Sequence, residues 1–94
     1  MAEGVVFPAG LSGEEIGQVV SFFSIPCAAL IEVKEGSLRI GDKIWIKGNT
    51  TDLVETVSSM QIEHTPVSEA IKGSQVGIKV STKVRRHDRV YKVS

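Results

Sequence analysis

The sequence predicts an all-β protein, a small closed antiparallel Greek-key-like barrel of roughly six or seven strands. Three observations predict it. Apolar residues recur with the period of two that suits half-buried strands, glycine-containing turns punctuate the chain at short intervals, and no helix-period segment of useful length occurs. With 94 residues and 41% hydrophobic content there is room for one domain whose core needs no external staple.

Met1 to Gly13 is small, glycine-containing and without sustained periodicity, and is expected to be a flexible leader, with the barrel over residues 14–94. Its apolar run Val5-Val6-Phe7 meets Pro8 at once, which limits any strand there to a short edge piece. From Glu14 to Phe23, Ile16, Val19, Val20, Phe22 and Phe23 supply the β-branched and aromatic residues of a pleated sheet. Gly17 in their midst implies a bulge or a close approach of backbones. Ser24-Ile25-Pro26 turns the chain into Cys27–Val33, an almost wholly apolar run expected to be a central strand buried on both faces.

Glu35 to Gly48 reads as a tight hairpin. Leu38, Ile40, Ile44 and Ile46 fall on one parity, Arg39, Lys43, Trp45 and Lys47 on the other, and Gly41-Asp42 makes the turn. In the long arm Leu53 to His64 the apolar parity switches, which predicts a bulge near Ser58-Ser59, and Glu63-His64 ends the arm at the surface before Thr65-Pro66. Pro66 to Gly73 is a compact connection with one helical turn started by Ser68. Gln75 to Val80 alternates with Val76, Ile78 and Val80 inward, Ser81 to Asp88 is a basic, solvated loop, and Arg89 to Val93 closes the sheet.

The chemistry-bearing residues do not assemble into a catalytic pattern. His64, His87 and Cys27 are scattered and lack the paired spacing of a zinc site, and no Gly-x-Ser-x-Gly elbow presents a nucleophile. Neighbouring side chains in Arg85-Arg86-His87-Asp88-Arg89 point apart on an extended segment. Cys27 is the only cysteine, which rules out an intramolecular disulfide, and neither a signal peptide nor an apolar run of about 20 residues is present. The expectation is a cytoplasmic protein with no membrane partner, no catalytic residue, no metal and no cofactor.

Charge is unevenly distributed. Residues 1–70 carry four Lys/Arg against ten Asp/Glu, a net of −6, and residues 71–94 carry seven against Asp88 alone, a net of +6. Facing strands of one barrel can pair such charges, or the cations can form a binding edge. Two sets are candidates for binding RNA. Arg39, Lys43, Trp45 and Lys47 would place a stacking ring among cations; alternatively, Trp45 packs over the barrel end or under the leader. Lys79, Lys83, Arg85, Arg86 and Arg89 form a basic loop and its flanks, suited to phosphate.

Taken together, Gly17-Gln-Val19, Gly36-Ser-Leu-Arg-Ile-Gly41-Asp42-Lys-Ile44-Trp-Ile46, Val57-Ser-Ser-Met60-Gln-Ile62 and Val67-Ser-Glu-Ala70-Ile-Lys-Gly73-Ser-Gln-Val76-Gly77-Ile78 resemble the second domain of translational GTPases such as elongation factor Tu and initiation factor 2. The resemblance covers about residues 14–93 and extends to small free-standing versions of that barrel and to the barrel at the C-terminus of collagenase-like peptidases. It implies the translation-protein β-barrel fold and, from the elongation factor, a role in holding transfer RNA. Two features depart from the pattern. Phe22-Phe23-Ser24-Ile25-Pro26 stands where the large factors hold a glycine-rich turn, and there is no Gly-x-x-x-x-Gly-Lys-Ser/Thr loop, so GTP hydrolysis does not carry over. The function expected is that of a non-enzymatic module binding transfer RNA, ribosomal RNA or a ribonucleoprotein through a basic surface. The alternative is a protein-docking accessory to a larger enzyme, using the leader and Phe22-Phe23; a small-molecule enzyme ranks third.

Overall fold

A computed structural model describes residues 7–8, 10–25 and 27–93. Most of the expected leader (residues 1–6 and Ala9), the turn residue Pro26 and the terminal Ser94 lie outside the described residues.

The described residues form ten strands: β1 (Gly13–Phe23), β2 (Ala28–Val33), β3 (Ser37–Arg39), β4 (Lys43–Lys47), β5 (Asp52–Thr56), β6 (Met60–Ile62), β7 (Thr65–Pro66), β8 (Glu69–Ile71), β9 (Gln75–Lys79) and β10 (Arg89–Val93). Eight form one sheet in the order β5-β4-β10-β1-β2-β9-β6-β7, and β3 and β8 form a separate ribbon. Every pairing is antiparallel. The last strand lies between the first and the fourth, which gives the sheet its Greek-key-like crossing. Among the described residues the outermost strands, β5 and β7, pair only with β4 and β6, so no hydrogen-bonded ladder closes the sheet on itself.

Period-two patterning decides what is inside. Val19, Ala29, Ile31, Val33, Val76 and Ile78 point inward from β1, β2 and β9, and Leu38, Ile44, Ile46, Met60 and Val90 meet them from the other strands. Each is effectively removed from water, and burying side chains of the size of all but Ala29 contributes about 1.5–3 kcal/mol apiece. β2 is central as expected, hydrogen-bonded on one edge to β1 and on the other to β9. Its second face is only half covered, since Ala28, Leu30 and Glu32 are intermediate in exposure. Gly17 fulfils its expected role: β1 shifts register there, and a side chain at that position would collide with the carbonyl oxygen of Glu32.

Four expectations need correction. The stretch from Glu35 to Gly48 is not a hairpin. β3 pairs with β8, while β4 pairs with β10 and β5, so the turn between β3 and β4 transfers the chain from the ribbon to the main sheet. Ile40 occupies the second position of that turn and is 48% exposed, having left the parity that buries Leu38. Secondly, the long arm breaks completely at Val57–Ser59 and does not merely bulge. There the Val57 carbonyl accepts from Gly41 N–H at 2.8 Å and Val57 N–H donates to Asp42 at 2.8 Å, so the turn replaces the missing strand partner. Thirdly, Pro66 to Gly73 holds no helical turn; β8 occupies it, because Ala70 has Leu38 opposite it and a buried place to fill. Finally, the strand number is higher than six or seven because the breaks divide what the sequence presents as continuous arms.

Candidate functional site

The basic loop is built around the one acid it contains. Asp88 is buried at 6% exposure, and its Oδ2 accepts the backbone N–H of Arg85 at 2.8 Å. The Asp88 N–H donates back to the Arg85 carbonyl at 3.1 Å, which closes a four-residue turn with His87 in its third position at a φ of 75°. Two further bonds tie the turn to β1: His87 N–H to the Val19 carbonyl and Val19 N–H to the Asp88 carbonyl, each 2.8 Å. The segment is therefore fixed to the sheet, which corrects the reading of Asp88 as part of a solvated loop.

The same device occurs a second time. In Arg39-Ile40-Gly41-Asp42 the Arg39 N–H donates to Asp42 Oδ2 at 2.8 Å, Asp42 N–H donates to the Arg39 carbonyl at 3.1 Å, and Gly41 takes the positive φ of 97°. Arg39-Ile-Gly-Asp-Lys-Ile-Trp45 and Arg85-Arg-His-Asp-Arg-Val-Tyr91 are thus one turn-and-strand unit used twice, and their strands β4 and β10 lie side by side with Trp45 opposite Tyr91. This internal likeness was present in the sequence, in the shared Arg-x-x-Asp followed by a cation, a β-branched residue and an aromatic.

The structure separates the candidate cations into two classes. Arg39 pairs with Glu69 at 3.0 Å, Arg89 with Glu15 at 3.3 Å, and Lys47 reaches Asp52 at 4.0 Å. Lys72 and Lys92 likewise meet Glu35 and Asp42. Three of these pairs, those of Lys72, Arg89 and Lys92, join the basic tail to the acidic body and neutralise part of the asymmetry. By contrast, no carboxylate among the described residues lies within ion-pair distance of Lys83, Arg85 or Arg86. These three line one open cleft of about 460 Å³ together with Val20, Ser21, Phe22 and Val84. Lys79 and Lys43 are exposed at an end of β9 and of β4, and neither lines this cleft.

Trp45 does not sit among exposed cations. It faces outward, as its parity requires, but it is 2% exposed. Phe7 covers it with ring centres 5.1 Å apart, Tyr91 lies 5.1 Å away on the sheet, and Leu11 packs against the same cluster. The indole N–H donates to Asp52 Oδ1 at 2.7 Å. Both its ring and its donor are in use, so it offers a base no stacking face; the reading that places it under the leader is the one the geometry matches.

Elsewhere on the surface, the hairpin joining β1 and β2 carries Phe23 at 52% and Ile25 at 91% exposure, beside the wall of the cleft. Among the described residues, no three His, Cys, Asp or Glu side chains gather in a way that could hold a metal ion. Nor, among those residues, is any helix long and apolar enough to cross a membrane.

Comparison with known proteins gives a consistent picture. The family model described as elongation factor Tu domain 2 matches residues 28–89. An uncharacterized protease of Methanocaldococcus jannaschii is 50% identical over 78 residues, 82% of this chain and 19% of the relative. A collagenase of Porphyromonas gingivalis is 36% identical over 78 residues, covering 82% of this chain and 22% of its own length. Elongation factor 1-alpha of Thermofilum pendens is 35% identical over 77 residues, 78% of this chain and 17% of the factor. The chain therefore spans about a fifth of the length of the curated relatives it matches. Among solved structures, the C-terminal domain of a Geobacillus thermoleovorans U32 peptidase superimposes with a TM-score of 0.77 at 17% identity, over 84% of this chain and 91% of that domain.

Proposed function

This chain belongs to the elongation factor Tu domain 2 family, and on that premise we propose that it is a non-enzymatic accessory barrel holding the phosphate backbone of a structured RNA, as transfer RNA, ribosomal RNA or a ribonucleoprotein, in the cytoplasm. One observation carries the reading: Lys83, Arg85 and Arg86 converge on a single cleft without carboxylate partners among the described residues, whereas Arg39, Lys47, Lys72, Arg89 and Lys92 each have one. Cations in and beside a turn fixed to the sheet and left unneutralised are available to exchange the counterions of a polyanion for themselves. Phe22 on the same wall supplies an apolar surface beside the phosphate-binding groups.

The test is the anisotropy of labelled transfer RNA and ribosomal RNA fragments titrated with the chain across a salt series. Binding that weakens steeply with salt and disappears in Lys83→Glu/Arg85→Glu/Arg86→Glu supports the proposal. Failure of both RNAs to bind at about 100 μM, the weak end of non-specific association, would sink it. Trp45 is not the probe for this titration, since Phe7 lies between its ring and solvent.

A second reading rests on Phe23 and Ile25. Large apolar side chains at 52% and 91% exposure on a hairpin tip suit a protein interface, and the relatives named as proteases carry such a barrel within a longer chain. In that case affinity for a catalytic partner falls in Phe23→Ser/Ile25→Ser and responds weakly to salt.

A further inference from the structure

The two outermost strands of the main sheet are built differently. β7 is two residues long and contains Pro66, the short, proline-bearing form that keeps an edge from pairing. β5 has neither safeguard. It is five residues of extended chain without proline or glycine, and its alternation leaves Asp52, Val54 and Thr56 exposed. Its register fixes which main-chain groups are in use. Gly48 N–H donates to the Thr51 carbonyl and Val57 N–H to the Asp42 carbonyl, each at 2.8 Å, so Thr51, Leu53, Glu55 and Val57 turn their main-chain groups towards β4. Asp52, Val54 and Thr56 turn theirs the other way, where no described residue pairs with them.

The side chains of the same three residues stand on the outer face beside β4. Val54 lies opposite Trp45 and Trp45 opposite Tyr91, an apolar stripe that is exposed at Val54 alone, by 41% against 2% for each ring. Lys43 lies opposite Thr56 on the same face. Among the described residues it has no carboxylate within ion-pair distance, although Lys47 on the same strand reaches Asp52.

We propose that β5 is an interface with a second copy of this chain, paired antiparallel about a two-fold axis through Val54, so that one sheet continues through both molecules. Asp52-Leu-Val-Glu-Thr56 is complementary to itself in that register. Asp52 falls opposite Thr56 of the second copy, Leu53 opposite its Glu55 and Val54 opposite its Val54, so no like charges face each other. A slip of two residues in one direction would set Glu55 against Glu55 of the second copy, and in the other would leave Thr56 opposite no residue of β5. On the outer face the rung through Thr56 then runs from Lys43 through Thr56 to Asp52 and Lys47 of the second copy. Lys43 and that Asp52 are two strand spacings apart, about 10 Å between Cα atoms, a gap their extended side chains span together. The central rung joins the two Trp45–Val54 pairs and covers the exposed valines. The occupant is a second copy because the chain's own five residues meet each of these requirements. Five residues a side bury less than the roughly 1,200 Å² of a standard interface, so the dimer is weak, with a dissociation constant of about 0.1–1 mM. Lys83, Arg85 and Arg86 take no part in it, and the proposal stands apart from RNA binding.

The experiment is sedimentation velocity of the full chain from about 20 μM to about 1 mM, across which the monomer should give way to dimer. Val54→Pro removes an amide that β4 does not use and blocks the central pair, so the variant should stay monomeric throughout while its thermal melting shows the fold retained. Thr56→Asp sets a carboxylate against Asp52 of the second copy and at the same time gives Lys43 a partner within its own chain. It should fold and weaken the dimer about tenfold. Should Val54→Pro not fold, Thr56→Asp carries the test alone. A parent that remains monomeric at about 1 mM overturns the proposal. So does a dimer that neither substitution weakens but Phe23→Ser/Ile25→Ser abolishes, since that assigns self-association to the β1–β2 hairpin. Dimerisation that appears only when residues 1–6 are removed overturns it too, by giving the edge to the chain's own amino-terminal segment.

Discussion

Trp45 illustrates what a period-two pattern determines and what it leaves open. Alternation places the ring on the outer face of β4, but nothing in the alternation says whether that face meets solvent, and residues 34–38 positions earlier decide it. Because the indole N–H is buried, its bond to Asp52 matters more than an exposed one would. Asp52→Ala leaves that donor unsatisfied and is expected to lower stability by about 1–3 kcal/mol in urea denaturation followed by Trp45 emission. A loss below about 0.5 kcal/mol, less than the usual net worth of one hydrogen bond, would mean that water replaces the carboxylate. Tyr91 gives a second test of the same cluster. Burial raises its pKa above 10.0, with Glu15 adding to the rise and Arg89 opposing it. A phenol whose folded-state pKa is raised contributes stability that is complete below the unfolded value and lost as pH climbs through the folded one. The chain should thus lose stability above about pH 10, the unfolded tyrosine value. Ultraviolet difference titration of this single tyrosine should place its midpoint higher in the folded chain than in denaturant; a lower midpoint would contradict the burial.

The strand most legible in the sequence was β9, whose alternation from Gln75 follows the Gly73 turn, whereas β1, β2 and β10 were read from β-branched, aromatic and apolar content. The pairings were less so, because alternation is a property of one strand and partner choice is a property of distant ones. Leu38, opposite Ala70, commits β3 to β8 and so dissolves the apparent hairpin with β4. The repeated Arg-x-x-Asp turn explains why the two loops behave alike while their sequences look dissimilar, since the Asp carboxylate and the positive φ do the work and the intervening residues are free to vary. That equivalence can be tested. Gly41 adopts φ of 97° without strain, whereas His87 is held at 75° in the corresponding position. His87→Gly is expected to stabilise the chain by about 1 kcal/mol, the relief of left-handed strain outweighing the added chain entropy. Gly41→Ala should destabilise it by about 1–2 kcal/mol, and nothing lies within 4 Å to complicate that result sterically. Thermal melting of the two variants should move in opposite directions; shifts of the same sign would mean that the turns are not equivalent.

Over the whole molecule the −6 segment (residues 1–70) and the +6 segment (residues 71–94) are reconciled in part by folding, because β10 is inserted between β1 and β4 and carries Arg89 to Glu15 and Lys92 to Asp42, while Lys72 meets Glu35. The candidate site was legible in part for the same reason. Sequence identified the basic loop, but only the strand order distinguishes cations that neutralise neighbours from Lys83, Arg85 and Arg86, which do not. These surface ion pairs are worth about 0–1 kcal/mol each, so their role here is chiefly to remove charge from the competition for a polyanion. The consequence is quantitative. If three phosphates are neutralised in the cleft, the logarithm of the RNA association constant should fall with the logarithm of salt at a slope of about −2, at roughly 0.7 per contact on a single strand. Lys83→Gln should flatten that slope by about 0.7, as one counterion fewer is released. Arg89→Gln should leave it nearly unchanged, because in the parent its charge already faces Glu15 at 3.3 Å. Equal flattening by both substitutions would show that RNA responds to the net charge of the barrel and not to the cleft, and the assignment of the site to these three residues would fail even though RNA binding survived.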